Sequence, residues 1–141
     1  MSTLNLIYPM FAMVLLTATV LTILFRRRSR AVREGAVSSR YFRLYQGDSE
    51  PEASAPAARH FANLFEAPVL FYAACLAAMV AGMGDLITLT LAWLYVLARV
   101  IHAGIHLSSN RLRRRIAAYA SSWLVLLALW IDIVVTVSQR S

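Results

Sequence analysis

Between residues 95 and 115 the chain reads YVLARVIHAGIHLSSNRLRRR, an apolar segment interrupted by Tyr95, Arg99, His102 and His106 at steps of four, three and four. At about 100° per residue these side chains form one stripe of a helix, which Ser109 and Arg113 extend. A guanidinium in the middle of an apolar helix is costly wherever it meets lipid, so the stripe must face protein or a water-filled cavity. Arg59, Asn63 and Glu66 form a second stripe with spacings of four and three. Glu66 and Arg99 are the natural ion pair, since each would otherwise be an uncompensated charge within the membrane. The functional reading is a polar pocket in which that pair is joined by Asn63, His102 and His106. The plainer reading is a pair that sets the register of two helices, with histidines that hydrogen-bond between them. Two histidines four apart could also hold a metal with Glu66 as third ligand, but no HExxH motif or further ligand cluster accompanies them, and no metal is expected.

The run 111–115 adds four arginines directly after this stripe. Such a run anchors lipid headgroups and sets topology. Arg113 or Arg115, at the membrane edge, could instead hold a carboxylate or favour a thiolate over its thiol, because a nearby cation stabilises the anion.

Positioning these groups requires membrane helices. Of the 141 residues 60% are hydrophobic, and several apolar runs are long enough to cross a bilayer. The formal charge of +7 comes from arginines gathered in two segments beside apolar runs, which fits a membrane face and not a nucleic-acid partner. The single cysteine, Cys75, has no partner for a disulfide and reads as a buried, inert thiol.

The first span covers 4–25, enough to cross about 30 Å of hydrocarbon at about 1.5 Å per residue. RRRSRAVR follows it, which places the N-terminus outside and the polar connection 26–55 in the cytoplasm. The second span, 56–83, has Ser54 as its expected cap and Pro56 in its first turn. Pro68 lacks the amide that would bond the carbonyl of Leu64, which predicts a kink or a free acceptor near Glu66. Ala74, Ala78 and Gly82 make a ridge of small residues for close helix approach, and Gly84 and Asp85 supply a tight outer turn. The third span, 86–107, returns the chain to the cytoplasm, and the fourth, 116–137, carries Trp123, Trp130 and the lone Asp132. The expected architecture is all-α: one integral membrane domain over 1–141, a four-helix bundle running up-down-up-down.

RHFANLFEAP on the second span, together with LYVLARVIHAGIH and RLRRR on and after the third, resembles the MAPEG family, the membrane-associated proteins of eicosanoid and glutathione metabolism. The resemblance covers the whole chain in topology. It implies a homotrimer with a glutathione site between neighbouring protomers near the cytoplasmic side. By the same resemblance Arg59, Asn63 and Glu66 match glutathione-contacting positions, the glutamate suited to the ammonium group and the arginine to a carboxylate. The spacing of Arg99 and His102 is similar to that of the prostaglandin synthase branch. Arg113 or Arg115 matches the thiolate-stabilising arginine. His106 stands where active relatives have a tyrosine, and Ala67 where a tyrosine often follows the glutamate.

The resemblance implies a glutathione-dependent transferase or peroxidase acting on a lipophilic small molecule at the cytoplasmic face. The alternative is a lipid-binding or scaffold protein of the same fold without catalysis. The expected setting is a bacterial inner membrane, among membrane lipids, with both termini periplasmic. Reporter fusions to the two termini and to the 26–58 region test that topology: the termini should report outside and the connection inside. A C-terminus that reports inside would separate the two basic clusters and remove their common pocket.

Overall fold

The computed structural model describes residues 2–47 and 49–140, so Asp48 of the polar connection lies outside the described residues. A short 3-10 turn, Thr3–Leu6, leads into α1 (Ile7–Arg33), followed by α2 (Ser39–Leu44), α3 (Ala55–Asn63), α4 (Ala67–Val80), α5 (Leu86–Leu107) and α6 (Leu112–Arg140). Four helical stretches, Thr3–Arg33, Ala55–Val80, Leu86–Leu107 and Leu112–Arg140, are long and apolar enough to cross a membrane. They form the up-down-up-down bundle that the apolar runs predict.

Two differences from the sequence pattern matter for the site. The first helix does not stop at Phe25 but continues through the arginine cluster to Arg33, so the polar connection begins with two further helical turns. The second span is two helices, interrupted at residues 64–66, where Glu66 leaves the helical region at φ −100° and ψ −99°. Pro68, in the first turn of α4, explains the interruption: without an amide it cannot continue the α3 ladder. Ser54 occupies the N-cap position of α3, but its hydroxyl donates to Glu50 Oε1 (2.6 Å) instead of capping the helix.

The apolar core draws on every span. Met13 and Val20 of α1 meet Phe71, Ala74, Cys75 and Ala78 of α4, Ala92 and Tyr95 of α5, and Leu126 and Leu129 of α6. Ala74 and Ala78 are fully buried, as a small-residue ridge requires. Gly82 departs from that ridge: at φ +69° it ends α4, where the Met83 amide donates back to the Ala78 carbonyl at 2.8 Å. Gly84 lies against the N-terminal turn so closely that a Cβ there would sit 2.7 Å from the Thr3 nitrogen. Cys75 is a free thiol in the middle of the core.

Both ends of the bundle are fastened by polar contacts. At the loop end Arg27 donates to the carbonyls of Leu107 (2.9 Å) and Ala53 (3.3 Å), tying α1 to the last turn of α5. Arg28 grips Glu50 in a bidentate pair (3.0 and 2.7 Å). Burial pushes the Glu50 carboxyl up, and the hydrogen bonds from Arg28 and Ser54 more than offset that, leaving it below the ordinary carboxylate range. At the opposite end Arg140 donates to the Ala81 carbonyl (2.7 Å), and Thr88 Oγ1 lies between Asp132 Oδ2 (2.8 Å) and Asp85 Oδ2 (3.1 Å). Asp132, without a partner in the sequence reading, therefore has one on α5.

Asp85 caps α5: its Oδ1 accepts from the amides of Ile87 (2.9 Å) and Thr88 (3.0 Å), and these hydrogen bonds hold its carboxyl below the ordinary 3.8. Asp85→Ala should cost about 1 kcal/mol of stability in detergent at neutral pH. Because the folded pKa is depressed, the contribution is complete above the unfolded value and is lost as pH falls through the folded one. Unfolding curves at pH 7 and pH 3 should therefore show wild type and variant converging in acid. A difference that stays constant across that range would mean that the carboxylate charge is not what caps the helix.

Candidate functional site

The break in the second span decides where its polar residues go. An uninterrupted helix would use the Asn63 carbonyl for an amide four residues on. With α3 ending at Asn63, that carbonyl receives only the Glu66 amide, at 3.4 Å, and remains available to a second donor. Arg99 of α5 takes it. The guanidinium is fully buried, and its Nη2 donates to the Asn63 carbonyl (3.4 Å) and to Asn63 Oδ1 (3.2 Å). Its other face lies against the ring of Tyr119 on α6, 5.8 Å from the centroid, where a desolvated cation gains from the ring quadrupole.

The ion pair between Glu66 and Arg99 expected from the sequence is not formed. Among the described residues the one salt bridge is Arg28 with Glu50. Glu66 sits beyond the break on the exposed side, and Asn63 stands between the two charges, accepting from Arg99 with Oδ1 and donating from Nδ2 to Glu66 Oε2 at 3.1 Å. The amide thus relays between carboxylate and guanidinium, which do not touch.

Above Arg99 a cavity of about 350 Å³ opens at the loop end of the bundle, between α3, α5 and α6, and is lined by Arg59, Asn63, His102, His106, Arg115 and Tyr119. Of the eight candidate site residues, Arg59, Asn63, His102, His106 and Arg115 therefore line one cavity, and Arg99 lies beneath it. Glu66 reaches it only through Asn63. Arg113 does not line it: one position earlier than Arg114 and two before Arg115 on α6, it is exposed, whereas Arg115 is half-buried and donates to Asn110 Oδ1 at 2.9 Å. Asn110 adopts φ +46° after the end of α5, which makes this contact between neighbouring helix ends possible.

His60 and Tyr119 were not among the expected residues. His60 is fully buried, and its ring packs 5.1 Å from those of both His102 and His106, which are themselves 5.6 Å apart. The partner of the two α5 histidines is therefore a third histidine and not Glu66. Among the described residues, no three His, Cys, Asp or Glu side chains are arranged to hold a metal ion. Both nitrogens of His60, Nδ1 of His102 and of His106, and Nε and Nη1 of Arg99 are buried without a partner among the described residues. A buried polar atom left unsatisfied costs about 1–3 kcal/mol, so this concentration of them marks a place suited to a polar ligand or water. Three arginines line or underlie the cavity, against one carboxylate at its margin, which favours an anionic ligand.

These features define a multi-pass integral membrane protein with a basic, imidazole-lined pocket at one end of a four-helix bundle. The model of the MAPEG family matches residues 6–135, nearly the whole chain, and the chain belongs to that family. No match was found among curated proteins, and none among solved structures.

The relay through Asn63 has a thermodynamic signature. Asn63→Ala leaves the buried guanidinium with only the main-chain carbonyl of residue 63 as acceptor and should cost about 1–3 kcal/mol, since the group that loses its side-chain partner is charged. In a double-mutant cycle with Arg99→Met, Asn63 should show coupling above about 1 kcal/mol and Glu66 below about 0.5 kcal/mol. Stronger coupling of Arg99 to Glu66 than to Asn63 would restore the direct ion pair.

Proposed function

We propose that the protein is a glutathione-dependent transferase or peroxidase that acts on a lipophilic substrate at the cytoplasmic end of its bundle, as a homotrimer in a bacterial inner membrane. The observation that carries this reading is the cavity, which gathers Arg59, Asn63, His102, His106 and Arg115 above a buried Arg99 in a chain of the MAPEG family. Glutathione offers two carboxylates, one ammonium group and a thiol. Arg59, exposed at the mouth, suits a carboxylate, and Glu66, exposed on the outer side of the break, suits the ammonium group. Both project from the protomer's own wall, where a neighbouring copy would complete the site.

The chemical step needs a thiolate, and a free thiol near pKa 8.5 is only a few per cent ionised at neutral pH. Arg115 is better placed than Arg113 to stabilise that anion, because it lines the cavity and Asn110 holds its guanidinium. The resulting thiolate attacks an electrophilic carbon of a substrate that arrives from the lipid, displacing its leaving group, or a peroxide oxygen, cleaving the O–O bond to release an alcohol and leave a sulfenic acid that a second glutathione converts to the disulfide and water. His106, which lines the cavity, would donate a hydrogen bond to the sulfur in place of a tyrosine hydroxyl. Metal chemistry has no part in this reading.

Glutathione at a hundredfold excess over its dissociation constant should stabilise the detergent-purified protein by about 2.7 kcal/mol. The ultraviolet absorbance of bound thiolate should then titrate at higher pH in Arg115→Ala, with reduced turnover, while Arg113→Ala behaves as wild type. Lysine at 115 should rescue only part of the effect, since its point charge lacks the arginine fork. No stabilisation and no thiolate signal at saturating glutathione would leave the alternative, a lipid-binding or scaffold protein whose polar network only holds the helices in register.

A further inference from the structure

A second concave site lies apart from the cavity above Arg99. A groove of about 760 Å³ lies where the last two turns of α1 meet α2, lined by Phe25, Arg26, Arg30, Arg33, Phe42 and Tyr45 among others. It is a constructed feature of the fold. Ala31, Val37 and Tyr41 form a small core of their own that holds α2 against α1. The Tyr41 ring packs edge-on against Phe42 (5.0 Å) and Tyr45 (5.5 Å), and the Arg28 guanidinium lies 5.0 Å from the Phe42 centroid.

The arginines of this segment divide into two sets. Arg27 is used by the carbonyls of Leu107 and Ala53, and Arg28 by Glu50. Arg26, Arg30 and Arg33, spaced by four and three on one face of α1, are exposed and have no hydrogen bond or ion pair to a described residue. Three uncompensated cations therefore face a groove to which Phe25, Phe42 and Tyr45 contribute aromatic walls, with Ser29, Val32 and the paired Arg28 between them. Glu34, four residues after Arg30, is exposed and forms no salt bridge with a described residue, and Glu50 is already paired with Arg28.

Depth selects the ligand. Hydrocarbon of about 30 Å is filled by the run that ends near Phe25, and the headgroup layer adds about 5–8 Å on each side. At about 1.5 Å per residue, Arg26 to Arg30 fall inside that layer, and the backbone of Arg33 lies about 12 Å past Phe25, just beyond it and within reach of its long side chain, with the exposed Phe25 ring at the hydrocarbon boundary below them. An anion bound here would need a negative head at the level of the arginines and an apolar body at the level of Phe25.

We propose that the groove between α1 and α2 is a binding site for an anionic phospholipid, with Arg26, Arg30 and Arg33 on the headgroup phosphate and Phe25 and Phe42 against the glycerol and the first acyl carbons. The site is separate from the cavity above Arg99 and does not depend on the chemistry assigned there. Its arginines act as point contacts to a phosphate-bearing surface, each contributing through charge at headgroup depth.

Native mass spectrometry of the detergent-purified protein, titrated with phosphatidylglycerol, phosphatidylcholine or inorganic phosphate, tests the site. Phosphatidylglycerol should remain bound under activation that strips phosphatidylcholine, and millimolar inorganic phosphate should not displace it. The triple variant Arg26→Gln, Arg30→Gln, Arg33→Gln should weaken phosphatidylglycerol binding about a hundredfold, since each arginine near a membrane surface contributes roughly a factor of five. The matched triple variant Arg40→Gln, Arg43→Gln, Arg111→Gln, which removes equal charge outside the groove, should stay within about threefold of wild type. If the first triple variant does not fold, single Arg26→Gln and Arg30→Gln variants should each lose about fivefold. Equal retention of both lipids, equal losses in the two triple variants, or displacement by inorganic phosphate would each overturn the proposal.

Discussion

The structure depends on the burial of one guanidinium. Arg99 has no exposed surface, and a cation cannot remain in an apolar bundle without acceptors for its hydrogens. Helices do not ordinarily supply them, because each main-chain carbonyl is used by the amide one turn ahead. The interruption between α3 and α4 releases the Asn63 carbonyl, and the Asn63 side chain adds a second acceptor beside it. Tyr119 closes the other face from α6, so three spans converge on the same charge. The break that Pro68 imposes on the second span, the turn of Glu66 to the outside and the polar character of this end of the bundle together meet that requirement.

The remaining arginines show a division of labour along one short segment. Arg27 satisfies the last turn of α5, where free carbonyls gather at a helix end, and Arg28 fixes the polar connection through Glu50. The opposite end is closed by smaller devices: an aspartate cap on α5, a threonine hydroxyl between two carboxylates, and Arg140 on the Ala81 carbonyl. Between these polar ends the interior is small-residue and apolar, so the helices are registered at their ends and free of polar constraint in the middle.

Much of this was legible in the sequence because it depends on period and length. Four apolar runs with arginines at alternate ends can form little else but an up-down bundle, and a proline two residues after Glu66 announces the interruption. The polar stripe on the third span was legible too, since spacings of four and three survive any packing. What the sequence did not disclose depends on how two helices are rotated against each other. His60 is not marked by the period because it follows Arg59 by one residue and so falls off the stripe of Arg59, Asn63 and Glu66. It belongs instead to the buried face of Ala57, Leu64, Ala67 and Phe71, where a histidine among apolar positions was the available signal. Tyr119 carried a comparable signal, four residues after Arg115 on the same face of α6, but one tyrosine in an apolar helix is no different by type from the tryptophans near it. The mistaken ion pair has the same origin: Glu66 and Arg99 sit at matching depths, but a broken helix need not keep its side chains facing the way its period implies.

The sheltered position of Cys75 has a practical side. It is the one cysteine of the chain, and the core of the bundle encloses it completely. Reagents that alkylate sulfur from the aqueous phase meet no reactive group on the folded protein, so the wild-type chain is already a cysteine-silent background. A cysteine introduced at any surface position would be the sole point of labelling, and maleimide accessibility or distance measurements between spin labels can be mapped over this membrane protein without first removing a native thiol. The same shelter protects the chain itself from whatever electrophiles partition into the surrounding lipid.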